Sequence, residues 1–235
     1  MRQTGEWPGV LVLRHGFSKA QARPWNRDVP DAYLTLIRGT SLFLAMCADH
    51  LRSVGVGSVL SPPLPLSSAR IWEQAGYEPM ERLDVFGREL TDDIPDHGVA
   101  IAEERSVDWA EVEGVDRMAF EPFWRLDALG LEEASTATPS SALLTVRDSG
   151  LLGFSIVGAG ATAGYLQRIA VVPDAQRRGL GRALVRASLR WAHRRGARQM
   201  LLNTLPGNDS ATALYVSEGF SQLDDQLAIL RKTTP

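Results

Sequence analysis

Cysteine is almost absent from this chain of 235 residues. The single thiol, Cys47, leaves no partner for an intramolecular disulfide and suits a reducing compartment. Long apolar runs are missing as well. Val10–Leu13 is too short for a signal-peptide core, and no stretch approaches the ~20 apolar residues of a membrane span. A cytoplasmic location without a membrane partner is expected. Lysine is scarce: Lys19 and Lys232 are the only two, and arginine supplies the other positive charges. His15, His50 and His97 share no metal-ligand spacing with one another or with Cys47, and His193 sits among arginines, so no metal is expected. An excess of one charge sign is also lacking. The net charge of −3 argues against nucleic acid as the main partner.

What is present is a globular composition, 44% hydrophobic and 23% charged. The clearest unit lies between Gly164 and Gly196. Tyr165–Val172 is rich in β-formers and predicts a strand that Pro173 ends. A polar, glycine-bearing loop follows, and a helix is predicted from about Gly179 to Arg195. Leu180, Leu184, Ala187 and Trp191 share one face of it, and Arg182, Arg186, Arg190 and Arg194 another. Gly196 closes that helix. Gln199–Thr204 predicts a strand, Asn208–Ser210 a cap for a helix to about Glu218, and Gln226–Arg231 a final strand. Upstream, Ala142–Arg147 and Leu151–Val157 form a hairpin around Asp148–Gly150, Asp108–Gly130 carries one or two helices, and Val99–Glu103 a strand. The order from Val99 is thus β, α, α, β, β, β, α, β, α, β.

The first ninety or so residues echo this pattern. Ile37–Leu42 through Gly55 aligns with Arg177–Gly181 through Gly196, and Ser68–Tyr77 aligns with Ala211–Phe220. Leu83–Leu90 matches the last strand. A duplication is expected, with domains 1–92 and 93–235 joined through the linker Thr91–Gly98.

A strand that ends in a glycine-rich turn opening a helix makes an anion site. The first helical turn leaves N–H groups unpaired, the dipole favours negative charge, and glycine lets a phosphate approach the backbone. Gln176–Arg177–Arg178–Gly179–Leu180–Gly181 supplies these features, and Asp174 is the only acid between Arg168 and Arg198. On its own this loop is equally well a glycine cap beside a solvated arginine face. It lacks the Gly-Lys-Ser/Thr of a P-loop and the three glycines of a dinucleotide fingerprint.

The segment Ile169–Leu184, with Gln176–x–x–Gly179–x–Gly181 after a strand, resembles the signature of the GNAT superfamily of N-acetyltransferases. Asn208–x–x–Ala211–x–x–Leu214–Tyr215–x–x–x–Gly219–Phe220 resembles that family's second pattern. The resemblance covers about Val99–Lys232 and is weak before that. It implies an α/β (α+β) fold of GNAT type: a mixed, mostly antiparallel sheet flanked by helices, here as a tandem of a degenerate and an intact copy. It also implies acetyl-CoA as acyl donor. Amides between Arg177 and Arg182, including those of Arg178, Gly179, Leu180 and Gly181, would hold the pyrophosphate beside Gln176. Ile169, Ala170 and Val171 would pair with the pantetheine arm, Asn208 would contact it, and a backbone N–H near Val171 would face the oxyanion. Tyr215 would protonate the leaving thiolate.

The general base stays open. Gln167 stands where many relatives have a glutamate, so a water chain or a carboxylate among Glu121, Asp127, Glu132 and Glu133 takes that part. Phe120–Asp127 lies where the family builds its acceptor pocket, which makes Glu121, Phe123, Trp124 and Asp127 substrate candidates together with Gln167. The expected reaction is acetyl transfer to a primary amine, a small molecule or a peptide N-terminus. The alternative is a non-catalytic acyl-CoA sensor or scaffold, and a third reading is a purely structural duplicated domain. A homodimer is open. The N-terminal half lacks the Gln and the second glycine, has Trp72 in place of the tyrosine, and is expected to have lost CoA binding.

Overall fold

The structure, a computed structural model, describes residues 1–96 and 98–233. His97, one of the histidines considered for a metal, lies outside the described residues. The chain divides into two compact units, Met1–Asp84 with Asp224–Pro235, and Val85–Leu223.

The first unit carries β1 (Arg2–Thr4), β2 (Leu11–His15), β3 (Ser18–Pro24), β4 (Ala32–Arg38), α1 (Ser41–Ser53), β5 (Ser58–Leu60), β6 (Leu64–Pro65), α2 (Leu66–Glu73) and most of β7 (Glu78–Glu89). The second carries β8 (Ala102–Glu103), α3 (Trp109–Ala119), a 3-10 turn at Pro122–Trp124, α4 (Ala128–Thr136), β9 (Ser140–Arg147), β10 (Leu151–Ala159), β11 (Ala163–Val171), α5 (Leu180–Arg194), β12 (Gln199–Thr204) and α6 (Asp209–Ser217). The final strand, β13 (Ser221–Thr233), returns to the first unit. The element order from β8 onward is the one the sequence pattern predicts, although β8 is shorter than Val99–Glu103.

The two halves repeat one topology. In each, three strands pair antiparallel (β2, β3, β4; β9, β10, β11). A helix then leads to a fourth strand parallel to the third: β4 beside β5, and β11 beside β12. A second helix follows, α2 or α6. The closing strands come from the opposite half. Arg231 of β13 lies opposite Leu60 of β5 in the first unit, and β7 neighbours β12 in the second.

The second unit's core explains its strands. In β10 every residue from Gly153 to Ala159 is buried, which fits a central strand covered on both faces. One side packs Leu144, Val146 and Val157 against Leu184, Leu189 and Trp191 of α5. The other packs Phe154 and Ile156 against Val112 and Val115 of α3 and Leu131 of α4. Gly164 is required for the α5 contact, since a Cβ there would stand 2.7 Å from the Ala192 Cβ. In the first unit, Leu11, Leu13, Leu34, Phe43, Leu44 and Leu51 form a separate core around the buried Cys47. Burial pushes that thiol up to about 12, so it is a packing residue and not a reactive one. No helix among the described residues is long and apolar enough to cross a membrane.

Candidate functional site

The site begins where β11 leaves its neighbour. β11 and β12 pair only at Ala163↔Gln199, Gly164↔Met200 and Tyr165↔Leu201. Beyond Tyr165 they part, and the edge of β11 from Leu166 to Val171 is left open toward β12. A bulge lies at the same point of the strand. On the β10 side Ile156 faces Arg168 while Val157 faces Leu166, so Gln167 is the extra residue. Its Nε2 lies 3.4 Å from Thr138 Oγ1.

Val172 N–H donates to Leu152 O of β10. Backbone groups alternate sides along a strand, so those of Ile169 and Val171 face the open edge and those of Ala170 face β10. Of the three strand residues named from the sequence, two present polar backbone to the gap.

The loop after β11 supplies the second element. Gln176 Nε2 donates to Val171 O at 3.1 Å, so this side chain ties the loop to the strand end. Arg177 is the only non-glycine residue with positive φ (61°) among the described residues, and Gly179 follows at 81°. A left-handed residue before a right-handed one turns successive amides toward a common side, the geometry of an anion nest. Six consecutive N–H groups, Arg177 through Arg182, have no acceptor among the described residues, and the first helical bond is Ala183 N–H to Gly179 O. Four of the other five helices differ, and only α2, which follows Pro65, likewise has no side-chain cap. Thr40 caps α1, Asp108 α3, Asp127 α4 and Asn208 α6 through their side chains, whereas Gly179 offers α5 none. Gly181 also allows α6 to approach, since a Cβ there would lie 3.3 Å from Leu214 Cδ2.

The arginine face is not simply solvated. Glu218 is 4% exposed, and its carboxylate takes Arg186 at 2.7 and 3.0 Å and Arg182 at 2.9 Å. Its carbonyl accepts from Arg88. Arg190 donates to Ile94 O. The guanidinium of Arg182 is therefore engaged, and its backbone N–H is what the loop offers. Glu218 ends α6 and grips α5, fixing the two helices to each other. Glu218→Gln is expected to destabilise the protein by about 1–3 kcal/mol, the value of charge-assisted hydrogen bonds, because the arginines keep access to water. Urea unfolding checks this.

Tyr215 lies on α6 at 5% exposure, between Phe86 and Phe220 with ring centroids 6.3 and 5.9 Å away. Its hydroxyl has no hydrogen-bond partner among the described residues, yet it is not among the fully buried unpartnered atoms, so the exposed remnant includes Oη. Burial pushes the phenol up to about 12, and the positive charge of Arg168 partly opposes the rise.

The acceptor-side candidates divide. Phe123 and Trp124 form the 3-10 turn, half-buried and T-shaped at 4.9 Å. Asp127 is the cap of α4, accepting from Gly130 N–H at 2.9 Å. Glu121 is exposed, as is Glu132 on α4, and Glu133 is half-buried. Asn208 caps α6 through Ala211 N–H at 3.2 Å.

One pair went unnoticed in the sequence. Asp116 of α3 is fully buried and pairs with Arg168 of β11, at 2.7 Å to Nε and 2.9 Å to Nη2. A basic residue in a strand with no other charge, and an acid beside the buried Val112 and Val115, were the available signals. No group of residues able to hold a metal occurs among the described residues.

Residues 102–220 match the model of the acetyltransferase (GNAT) family. Aminoglycoside N(6')-acetyltransferase type 1 of Klebsiella aerogenes is 30% identical over 96 residues, covering 37% of this chain and 63% of that relative, so the chain spans under two thirds of the relative's length. A GCN5-related N-acetyltransferase from Sphaerobacter thermophilus superposes with a TM-score of 0.56 at 20% identity, covering 96% of this chain and 81% of its own. A tandem GNAT protein from the clavulanic acid biosynthesis pathway gives a TM-score of 0.63 at 14% identity, covering 96% and 83%. These two likenesses show the fold.

Proposed function

This chain belongs to the GNAT family of acetyltransferases, and from that premise we propose that it transfers an acetyl group from acetyl-CoA to a primary amine. The observation that carries the reading is the run of six acceptor-free amides from Arg177 to Arg182 at the uncapped start of α5. The residues fit a nucleotide diphosphate: a left-handed Arg177 and Gly179 shape the turn, and the exposed Arg177 and Arg178 add positive charge. The open backbone edge at Ile169 and Val171 fits an amide-bearing arm, which pairs there as a further strand would. Asn208 contributes beside it.

Acetyl-CoA, when bound, supplies the acyl group as an activated thioester. The chain's own residues bind it, orient it and manage the protons. The Val171 N–H, directed into the gap, stabilises negative charge on a carbonyl oxygen held there. Tyr215 holds a proton at Oη and releases it to the departing sulfur, which gains basicity as its bond to the acyl carbon breaks and as the forming thiolate is kept from water. Gln167 cannot act as a base, so a water or a carboxylate such as Glu121 or Glu133 deprotonates the amine. Phe123, Trp124 and Gln167 border the acceptor.

The N-terminal copy, bounded near the Thr91–Gly98 segment, is read as a partner without cofactor. Only Gly39 and Thr40 separate β4 from α1, and Thr40 Oγ1 already accepts from Phe43 N–H at 3.3 Å. The run of acceptor-free amides among the described residues is shorter here, Gly39 through Leu42.

Acetyl-CoA at a hundred times its Kd should stabilise the protein by about 2.7 kcal/mol. For a chain of this size that is about 5–10 °C in Tm. Release of free thiol with a panel of primary amines distinguishes an enzyme from a sensor that binds without turnover. Absence of both effects would rule out the reading.

A further inference from the structure

We propose that Arg168 and Asp116 are positioning residues for the amine acceptor, a buried charged bolt that holds the Phe120–Leu126 segment beside the bulge of β11. The inference rests on the acetyl-transfer reading and adds to it a part for two residues to which that reading gives none.

The bolt is made of many contacts. Arg168 donates to both Asp116 oxygens and to Trp124 O at 2.8 Å. Its guanidinium lies 3.5 Å from the centroid of the Phe120 ring. Asp116 also accepts from Leu126 N–H at 2.8 Å. Both ends of the aromatic turn are thereby fixed to one ion pair. Arg125 adds a local tie, donating from Nε to Phe120 O at 3.0 Å. Asp116 is wholly buried and the Arg168 side chain is 14% exposed, so water does little to loosen the pair.

Its location gives the pair a consequence. Arg168 directly follows Gln167, the extra residue of the bulge, at the point where β11 has parted from β12. The Phe120–Leu126 segment is therefore held next to the mouth of the open gap. Arg168 is also the charged group that acts on the Tyr215 phenol. One guanidinium thus touches the segment proposed to receive the amine and lies within electrostatic reach of the group proposed to hold the proton. A planar fork that bonds a carboxylate and a carbonyl and stacks on a ring is a part lysine cannot play.

The test compares the unaltered protein with Arg168→Lys and with the double variant Arg168→Met/Asp116→Leu. The double variant removes both charges together and leaves no buried charge unpaired. The amine is whichever of spermidine, lysine, glucosamine and a tripeptide the unaltered protein acetylates fastest. The expected result is a KM for that amine raised at least tenfold in both variants, with the acetyl-CoA Kd within twofold. Hydrogen exchange of amides 120–126 should quicken at least tenfold, with amides 209–217 unchanged. An amine KM within twofold of the parent in a folded variant whose 120–126 amides have loosened overturns the proposal. So does a parallel loss of acetyl-CoA affinity. Failure of the underlying reading is separate, since the unaltered protein would then release no thiol with any of the four amines.

Discussion

Tyr215→Phe lowers kcat by about a hundredfold to a thousandfold, the usual worth of a positioned general acid, and leaves acetyl-CoA affinity within twofold. The substitution removes one oxygen from a ring packed between Phe86 and Phe220, so the core keeps its shape. That oxygen has no protein partner among the described residues, so its loss leaves no buried group unsatisfied and stability changes little. An effect confined to turnover is the signature of an interaction made only in the transition state. The pH dependence follows from the direction of the shift. Burial raises the phenol to about 12, with Arg168 partly opposing, so Tyr215 stays protonated while the amine is titrated. The rate should rise with pH and show no falling limb from Tyr215 below about pH 11. The linkage has a definite sign. The folded pKa lies above the unfolded value near 10, so the associated stability is complete below about pH 10 and is lost as pH rises through about 12. Steady-state kinetics with calorimetric binding checks the first part, and denaturant titrations between pH 8 and 11 check the second.

Gly179→Asp weakens acetyl-CoA binding by about a hundredfold, about 2.7 kcal/mol. Gly179 sits at φ 81°, and no atom lies within 4 Å of where its Cβ would be, so the new side chain meets no clash. Aspartate tolerates the left-handed region better than most residues, at a cost of about 1 kcal/mol in stability. It places a carboxylate at the mouth of α5, where Arg177–Arg182 offer their amides. That carboxylate competes for the same donors and repels a diphosphate. Gly179→Ala separates the terms. It carries the backbone cost without the charge, and is expected to keep most of the affinity.

Much of the second unit was legible because its signals are local. Pro173 ended β11, Gly196 ended α5 with φ 82°, and Asn208 capped α6 where its side chain accepts from Ala211 N–H. The loop between Val171 and Leu180 reads from its own residues equally as an anion seat and as a glycine cap, and only the family resemblance favours the first. The bulge at Gln167 was not legible, because a register shift is a relation between two strands and leaves no mark on one of them. The exchange of closing strands escaped for the same reason: β13 has the composition of a strand, but nothing local tells it to lie opposite Leu60. Strands β1 to β4 also went unread, since the echo of the second half was traced only from Ile37 onward. Asp127 was named for the acceptor, yet Asp127–x–x–Gly130 is also a capping pattern, and the structure uses it as one. Glu218 offered a clue that was missed. An acid at the end of a helix opposes the dipole, and the arginines of α5 are what hold it there.

Acetyl transfer by this chain depends on where the diphosphate is gripped. Amide chemical shifts, followed by two-dimensional NMR of the isotope-labelled protein during titration with coenzyme A, test this most directly. The largest changes should fall on Arg177 through Arg182, with the open edge at Ile169 and Val171 next. Shifts centred elsewhere, or none at millimolar ligand, would contradict the account.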